Sequence, residues 1–396
     1  MGIKYMEEYR DPEIAGRIAD NIRRASKRPI RLMEVCGTHT VSIFRNGIRG
    51  MLPKTIALLS GPGCPVCVTT QKEIDTFIRM AGLDEVIIAT FGDLMRVPGT
   101  SSSLQKQRAE GRDIRMVYAA DDALKIARQH PDKKVVFPGV GFETTAPTIA
   151  ATLLAAREMR LDNFFVFSAH KCVPPALFAL MGNQDVRIDG FILPGHVSVI
   201  IGTRGYVPFF QKYRVPCVVA GFEPVDILQA IYTLIRQIES GKAELSNDYR
   251  RVVTVDGNTK AQQIMKDVFE VRDAAWRGIG TIPESGLKIR ATFSDLDAEK
   301  MLDFRVPESV EPKGCCCGEI LTGRKIPPEC PLYQKVCTPE DPVGACMVSS
   351  EGTCAAYYRY QGSGIGGQGS GARSRGPGVR DQVSGRERDK SPCTDS

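Results

Sequence analysis

Four cysteines near the carboxyl end, Cys330, Cys337, Cys346 and Cys354, are separated by six, eight and seven residues, with no histidine close by. Four thiolates without an imidazole suit a soft metal, which leaves an iron–sulfur cluster or an all-cysteine zinc site. Structural zinc usually takes two tight cysteine pairs, whereas wide and irregular spacing fits a larger cube held by loops wrapped around it. The spacing therefore predicts iron–sulfur ahead of zinc. With Cys315, Cys316 and Cys317 the group reaches seven cysteines within forty residues, too dense for thiols that are merely buried.

Two further thiol sites lie near the start. Cys64-Pro65-Val66-Cys67 is a Cys-x-x-Cys at a predicted strand-to-helix junction, where a helix N-terminus lowers thiol pKa and two sulfurs can join. It reads as a redox-active dithiol; half a zinc site or a tight turn are the alternatives. Cys36-Gly37-Thr38-His39-Thr40 ends an earlier predicted strand. Cys36 there could ligate iron or act as a nucleophile paired with His39. His196 in PGHVSVIIG, His170-Lys171 in SAHKCVPP, Asp93 and Arg96 in FGDLMRVPG, and Glu143-Thr144-Thr145 in GFETTAPT occupy comparable places. Helix capping or turn formation would explain some of them, Thr144 and Thr145 above all.

The elements that must position these residues follow from the patterning. Residues 11–25 predict an amphipathic helix with Ile14, Ile18 and Ile22 at four-residue spacing. Eight short apolar runs then end in polar or glycine-rich turns: RLMEV, TIALLS, EVIIAT, DIRMV, KVVFPG, FFVFS, GFILPG and VPCVVAG. Buried parallel strands have this form. QKEIDTFIRMAG, APTIAATLLAARE and DILQAIYTLIRQIESG separate some of them as helices. Alternation of this kind predicts α/β architecture. A weak echo between the halves predicts two similar α/β domains with mainly parallel sheets facing a cleft, since such sheets bind ligands beyond the carboxyl ends of their strands. The first would span residues 30–112 and the second 113–240. A smaller C-terminal iron–sulfur domain would take 241–360 together with the N-terminal helix in 1–29, its irregular chain ordered by metal. Residues 361–396, rich in Gly, Ser and Arg, read as a disordered tail.

Composition excludes several functions. The net charge is only +6, partly from that tail, and there is one tryptophan, so neither charge nor stacking argues for nucleic acid. No apolar run approaches a membrane span, and the N-terminal residues lack a secretory pattern, so the expectation is a cytoplasmic protein with reduced thiols. No GxxxxGK[ST] and no strand-end GxGxxG occur.

EVCGTHT, GPGCPVCVTT, FGDLMRVPG, GFETTAPT, SAHKCVPPA, PGHVSVIIG, AGFEPVDIL, CCCGEIL and CTPEDPVGACMVSSEGTCAAYYRY occur in that order. Over residues 10–360 this set resembles the HypD family of hydrogenase maturation factors. The resemblance implies two α/β domains flanking a cleft and a third domain carrying a [4Fe-4S] cluster on Cys330, Cys337, Cys346 and Cys354. It implies that Cys36 binds the iron under construction, that Cys64 and Cys67 are the redox pair beside it, and that His196 and Glu143 line the cleft. The implied partners are a HypC-like small chaperone, a HypE-like cyanide donor and, indirectly, the hydrogenase large subunit. The implied product is the Fe(CN)2CO group of [NiFe] hydrogenases, with the chain an assembly scaffold with redox activity more than a turnover enzyme. An iron–sulfur-linked thiol–disulfide oxidoreductase is the other reading. Where the family shows Cys-x-Cys-Gly this chain has Cys315-Cys316-Cys317-Gly318, so the roles of those three cysteines stay open.

Overall fold

Strands β1 (Ile30–Glu34), β2 (Ile56–Ser60), β7 (Gly190–Pro194), β8 (Cys217–Ala220) and β9 (Leu245–Asn247) form one parallel sheet, in the order β2-β1-β7-β8-β9. A second parallel sheet, β4-β3-β5-β6, is built from β3 (Val86–Thr90), β4 (Ile114–Met116), β5 (Lys134–Gly139) and β6 (Phe164–Ser168). An antiparallel hairpin, β10 (Phe269–Trp276) with β11 (Gly280–Ile289), forms a third, two-stranded sheet. The computed structural model describes residues 7–183, 185–301, 306 and 308–360. The tail at 361–396, with Cys393, lies outside the described residues.

The architecture is α/β with mainly parallel sheets, as the alternating pattern predicts. The sheets do not follow a boundary at residue 112. β3 lies before it and β4 after it, yet they pair; β7 returns the chain to β1, so the first sheet draws strands from both halves. Strand pairing is long-range, and a local pattern does not reveal which strand lies beside which. Likewise the helix Pro12–Ala25 packs on the helix Pro224–Ser240 and so belongs with the first sheet.

Alternating side chains bury both faces of each sheet. Leu32, Ile192 and Val218 face the layer of the Pro12–Ala25 and Pro224–Ser240 helices. Ile87, Ala89, Val135 and Phe137 face the Ala146–Glu158 helix and the hairpin. The opposite faces, with Met33, Phe191 and Val219 from one sheet and Ile88 and Val136 from the other, join a single apolar cluster. That cluster continues through Trp276 and Ile320 into Cys346 and Ala355, so the C-terminal cysteine segment rests on the same core as the sheets.

Local signals set the helices that matter to the site. Asp11 caps the first helix by accepting from the Glu13 and Ile14 amides, with Pro12 at the first position. Thr70 and Glu73 form a reciprocal capping box at the start of Gln71–Ala81, whose Ile74, Phe77 and Ala81 are buried.

Candidate functional site

β1 and β2 run parallel with Glu34 opposite Ser60, so the segments leaving them travel side by side. The Gly61 amide donates to the Glu34 carbonyl at 2.7 Å, and the Gly37 amide donates to the Gly63 carbonyl at 2.9 Å. A Cβ on Gly63 would stand 2.1 Å from the Cys36 nitrogen, so this approach needs glycine. Cys36 and Cys64 are therefore neighbours in space, on the ends of adjacent strands.

Cys36 caps the helix Gly37–Arg45, its sulfur facing the His39 and Thr38 amides. Burial outweighs those donors and pushes the thiol up to about 12, with Glu351 and Glu34 adding in the same direction. Glu34 accepts from the Cys36 amide at 3.0 Å and from the Thr40 hydroxyl, and its own carboxyl is raised by burial to about 8. Cys64 and Cys67 are joined as a disulfide with Cα atoms 5.2 Å apart. The Cys67 amide donates to the Cys64 sulfur at 3.2 Å, and Pro65 opens the short helix Pro65–Val68.

His39 does not pair its ring with Cys36, as a nucleophile–base pair would require. Its Nε2 meets the Gly221 carbonyl at 2.9 Å, and burial lowers its pKa to about 4, so the ring is neutral and donates there. Its contribution to Cys36 comes through the backbone amide. His196 is exposed and stacks on Phe222 at 3.9 Å, while the His39 ring lies 4.9 Å from the same phenyl. Phe222 thus ties together two histidines that are far apart in sequence.

Glu143 is buried, with Oε1 accepting from the Val173 amide at 2.9 Å and Oε2 without a partner. Burial raises its carboxyl to about 7. The Cys172 thiol lies close enough for Glu143 to push it further up, after burial. Lys171 is 2% exposed and its ammonium meets the Glu73 carboxylate at 2.5 Å, fastening the end of β6 to the helix that follows Cys67. His170 is an interior residue, with Nδ1 3.0 Å from the Ser168 hydroxyl and the ring against Phe269 of the hairpin. Arg96 donates to the Pro339 and Glu340 carbonyls, and Asp93 Oδ2 accepts from the Ser349 hydroxyl at 3.5 Å. The FGDLMR cluster therefore holds the cysteine segment.

In that segment Cys315, Cys317, Cys330, Cys337 and Cys354 line one cavity with Ile320, Leu332, Tyr333, Gly344 and Met347. Cys315 and Cys317 sulfurs are 3.3 Å apart. A Cβ on Gly344 would fall 2.7 Å from the Cys317 sulfur and 2.8 Å from that of Cys315. Cys346 is fully buried beside Cys317 and Cys354 but does not line the cavity. Of the four cysteines read from spacing, three line it, and Cys315 and Cys317 join them. Cys316 faces the Lys325 ammonium at 3.6 Å instead. Among the described residues no three His, Cys, Asp or Glu side chains are gathered to hold one metal ion. The thiols surround a space.

The ring abuts the other thiols. The helix Ala345–Val348 packs on Pro65–Val68, and the helix Thr353–Tyr360, which carries Cys354 in its first turn, packs on Gly37–Arg45. The Thr38 hydroxyl donates to Glu351 at 2.6 Å. Sequence reading missed Glu34, Phe222 and Glu351. Glu34 carried a signal, being a carboxylate inside an apolar strand; Glu351 carried another, lying between two cysteines. Among the described residues no helix is long and apolar enough to cross a membrane.

A family model for HypD, described as the hydrogenase formation hypA family, matches residues 13–361. The chain is 48% identical over 369 residues to a hydrogenase maturation factor HypD of Cupriavidus necator, covering 90% of this chain and 97% of that one. It is 44% identical over 367 residues to the hydrogenase maturation factor HypD of Escherichia coli, covering 91% and 98%. It is 45% identical over 367 residues to the hydrogenase expression/formation protein HupD of Azotobacter chroococcum, covering 90% and 97%.

Proposed function

The chain belongs to the HypD family of hydrogenase maturation factors, and from that premise we propose that it is a scaffold for assembling the Fe(CN)2CO group of [NiFe] hydrogenases. The observation that carries the reading is the bond from the Gly37 amide to the Gly63 carbonyl, 2.9 Å, which sets Cys36 beside the Cys64–Cys67 disulfide. A thiolate that can hold iron then has a two-electron thiol couple next to it.

The iron under construction is cargo. Cys36 is its anchor, because a soft thiolate suits iron that carries cyanide and carbon monoxide. Binding takes the proton from a thiol that burial holds protonated, so the positive iron must replace it. Glu143, with a carboxyl near neutrality and a free Oε2, can hold or release a proton. The disulfide takes up two electrons and two protons to become two thiols.

The ring of thiols fits a [4Fe-4S] cluster by its donor chemistry: five soft sulfurs around one space, walled by apolar side chains, without imidazole. Its bond to Cys317 and burial hold the Cys315 thiol far above its ordinary value, a cost that a bound cationic group reverses. Cys330, Cys337 and Cys354 would hold the cluster, with the fourth thiolate from the group Cys315, Cys317 and Cys346, whose sulfurs lie together at the same wall. When bound, such a cluster supplies electrons singly at low potential. The packing of Ala345–Val348 on Pro65–Val68 supports delivery to the disulfide.

The partners in this reading are a small HypC-like chaperone and a HypE-like cyanide donor. The test is the iron, acid-labile sulfide and infrared absorption of chain purified without oxygen together with the small chaperone. About four iron and four sulfide per chain, with bands from metal-bound cyanide and carbon monoxide, support the scaffold. Cluster-loaded chain that reduces thiol substrates and shows no such bands supports the oxidoreductase reading, which the disulfide also suits. Zinc without sulfide contradicts both.

A further inference from the structure

The tip of the β10–β11 hairpin lies between the dithiol and the cysteine ring, and one buried arginine there contacts both approaches. The Arg277 amide donates to the Val68 carbonyl at 2.9 Å, at the end of the helix that carries Cys67. Its side chain is 3% exposed, with Nε donating to the Thr69 carbonyl and Nη1 to Gln71 Oε1, each at 2.8 Å. Nη1 also meets the Glu311 carboxylate at 2.8 Å, four residues before Cys315. The next residue, Gly278, has φ +68°, and a Cβ there would stand 2.0 Å from the Gly318 Cα, so the hairpin backbone touches the helix that begins at Cys317. Trp276, just before, is anchored by its indole N–H on Ser285 at 2.8 Å and stacks on Phe142.

Cationic side chains commonly close helix C-termini by donating to the last carbonyls. Here the same guanidinium continues to Gln71 and Glu311, and two of these bonds need the fork of an arginine. A guanidinium that only closed the helix would have no reason to reach the run leading into the cluster cysteines.

We infer that Arg277 is a positioning residue for electron transfer between the cysteine ring and the Cys64–Cys67 pair, holding the dithiol helix and the Cys317 helix at a fixed separation. The inference rests on the proposed relay. The step it serves is the reduction of one disulfide to two thiols by two electrons, drawn one at a time from a low-potential one-electron donor through the ring, with two protons from water. Electron transfer slows as donor and acceptor move apart, so a lost pin shows in the transfer rate.

The experiment uses full-length chain purified without oxygen, with iron and sulfide counted, in wild-type, Arg277→Gln and Arg277→Lys forms. Dithionite is the donor. Cluster reoxidation is followed by visible absorbance, and new thiols at Cys64 and Cys67 by alkylation and mass spectrometry. Expected is wild-type transfer with both thiols appearing. Arg277→Gln should match it in iron content and cluster potential but transfer several-fold more slowly. Arg277→Lys, keeping the cation and one acceptor, should fall between. Equal rates in wild type and Arg277→Gln overturn the inference and leave the relay standing. A loaded wild type that forms no thiols overturns the relay and the inference with it. If Arg277→Gln fails to load its cluster, Arg277→Lys decides: slower transfer at full loading supports the pin, and the wild-type rate overturns it.

Discussion

The Thr38 hydroxyl donates to the Glu351 carboxylate at 2.6 Å across 313 residues of sequence, tying the helix that starts at Cys36 to the loop between Cys346 and Cys354. A Cβ on Gly37 would stand 2.8 Å from the Glu351 carbonyl oxygen, so the two backbones also touch. The Glu351 carboxyl is raised by burial, with the Thr38 bond opposing. A hydrogen bond to a group of this kind contributes about 1.5–3 kcal/mol. Thr38→Val should lower unfolding stability by about 1–2 kcal/mol, and Glu351→Ala by a similar amount. The double variant should lose little more than either single one, which denaturant titration of all four proteins measures. Additive losses would show that the contact is not shared.

The Lys171–Glu73 pair is buried on the lysine side. Removing one partner of such a pair leaves an uncompensated charge in the interior and costs about 3–5 kcal/mol. Glu73→Ala should therefore destabilise by about 3 kcal/mol or more, part of it from the lost capping box. Glu73→Ala combined with Lys171→Met should recover much of that loss. Thermal unfolding of the three proteins is the check.

Glu143 titrates near 7 in the folded chain and near 4.5 when unfolded. Between those values the folded state binds more protons, so its contribution to stability is present below about 4.5 and is lost as pH rises through about 7. Glu143→Gln, which keeps an acceptor for the Val173 amide, should flatten the decline over that interval. Near pH 8 it should stabilise the chain by up to about 3 kcal/mol. An unchanged pH profile would mean that Oε2 is ionised and paired.

The ring predicts which cysteines hold the cluster. Cys330→Ser, Cys337→Ser and Cys354→Ser should each lose most of the iron and acid-labile sulfide, because all three line the cavity. Of Cys315→Ser, Cys317→Ser and Cys346→Ser, whose sulfurs lie together, the one that loses most of both supplies the fourth thiolate. Retention by Cys315→Ser with loss by Cys346→Ser would restore the set read from spacing alone.

The strands β1 to β8 were legible because each is a short apolar run closed by a turn. The hairpin β10–β11 was not. Its alternation is interrupted by a register shift between Arg272 and Ala274, and apolar Val271 and Ala275 fall on exposed positions while Glu270 and Arg272 are half-buried. Sheet membership was hidden too, since nothing local says that β1 lies between β2 and β7. At the site, residue types were readable while orientations were not. Cys36, Cys64 and Cys67 sit together as their places at strand ends imply. His39 and His170 could be seen only as strand-end imidazoles; the Gly221 carbonyl and the Ser168 hydroxyl that claim them come from elsewhere or through a turn of chain. Which cysteines line the cavity was hidden because the loops that fold around it have no periodicity to follow.

Infrared spectra of wild type and Cys36→Ala, each purified without oxygen with the small chaperone and matched in iron–sulfur absorbance, test the central claim most directly. The account predicts bands of metal-bound cyanide and carbon monoxide in the wild type and none in Cys36→Ala, with the cluster retained in both. Bands that persist in Cys36→Ala would place the nascent iron on another group and contradict it.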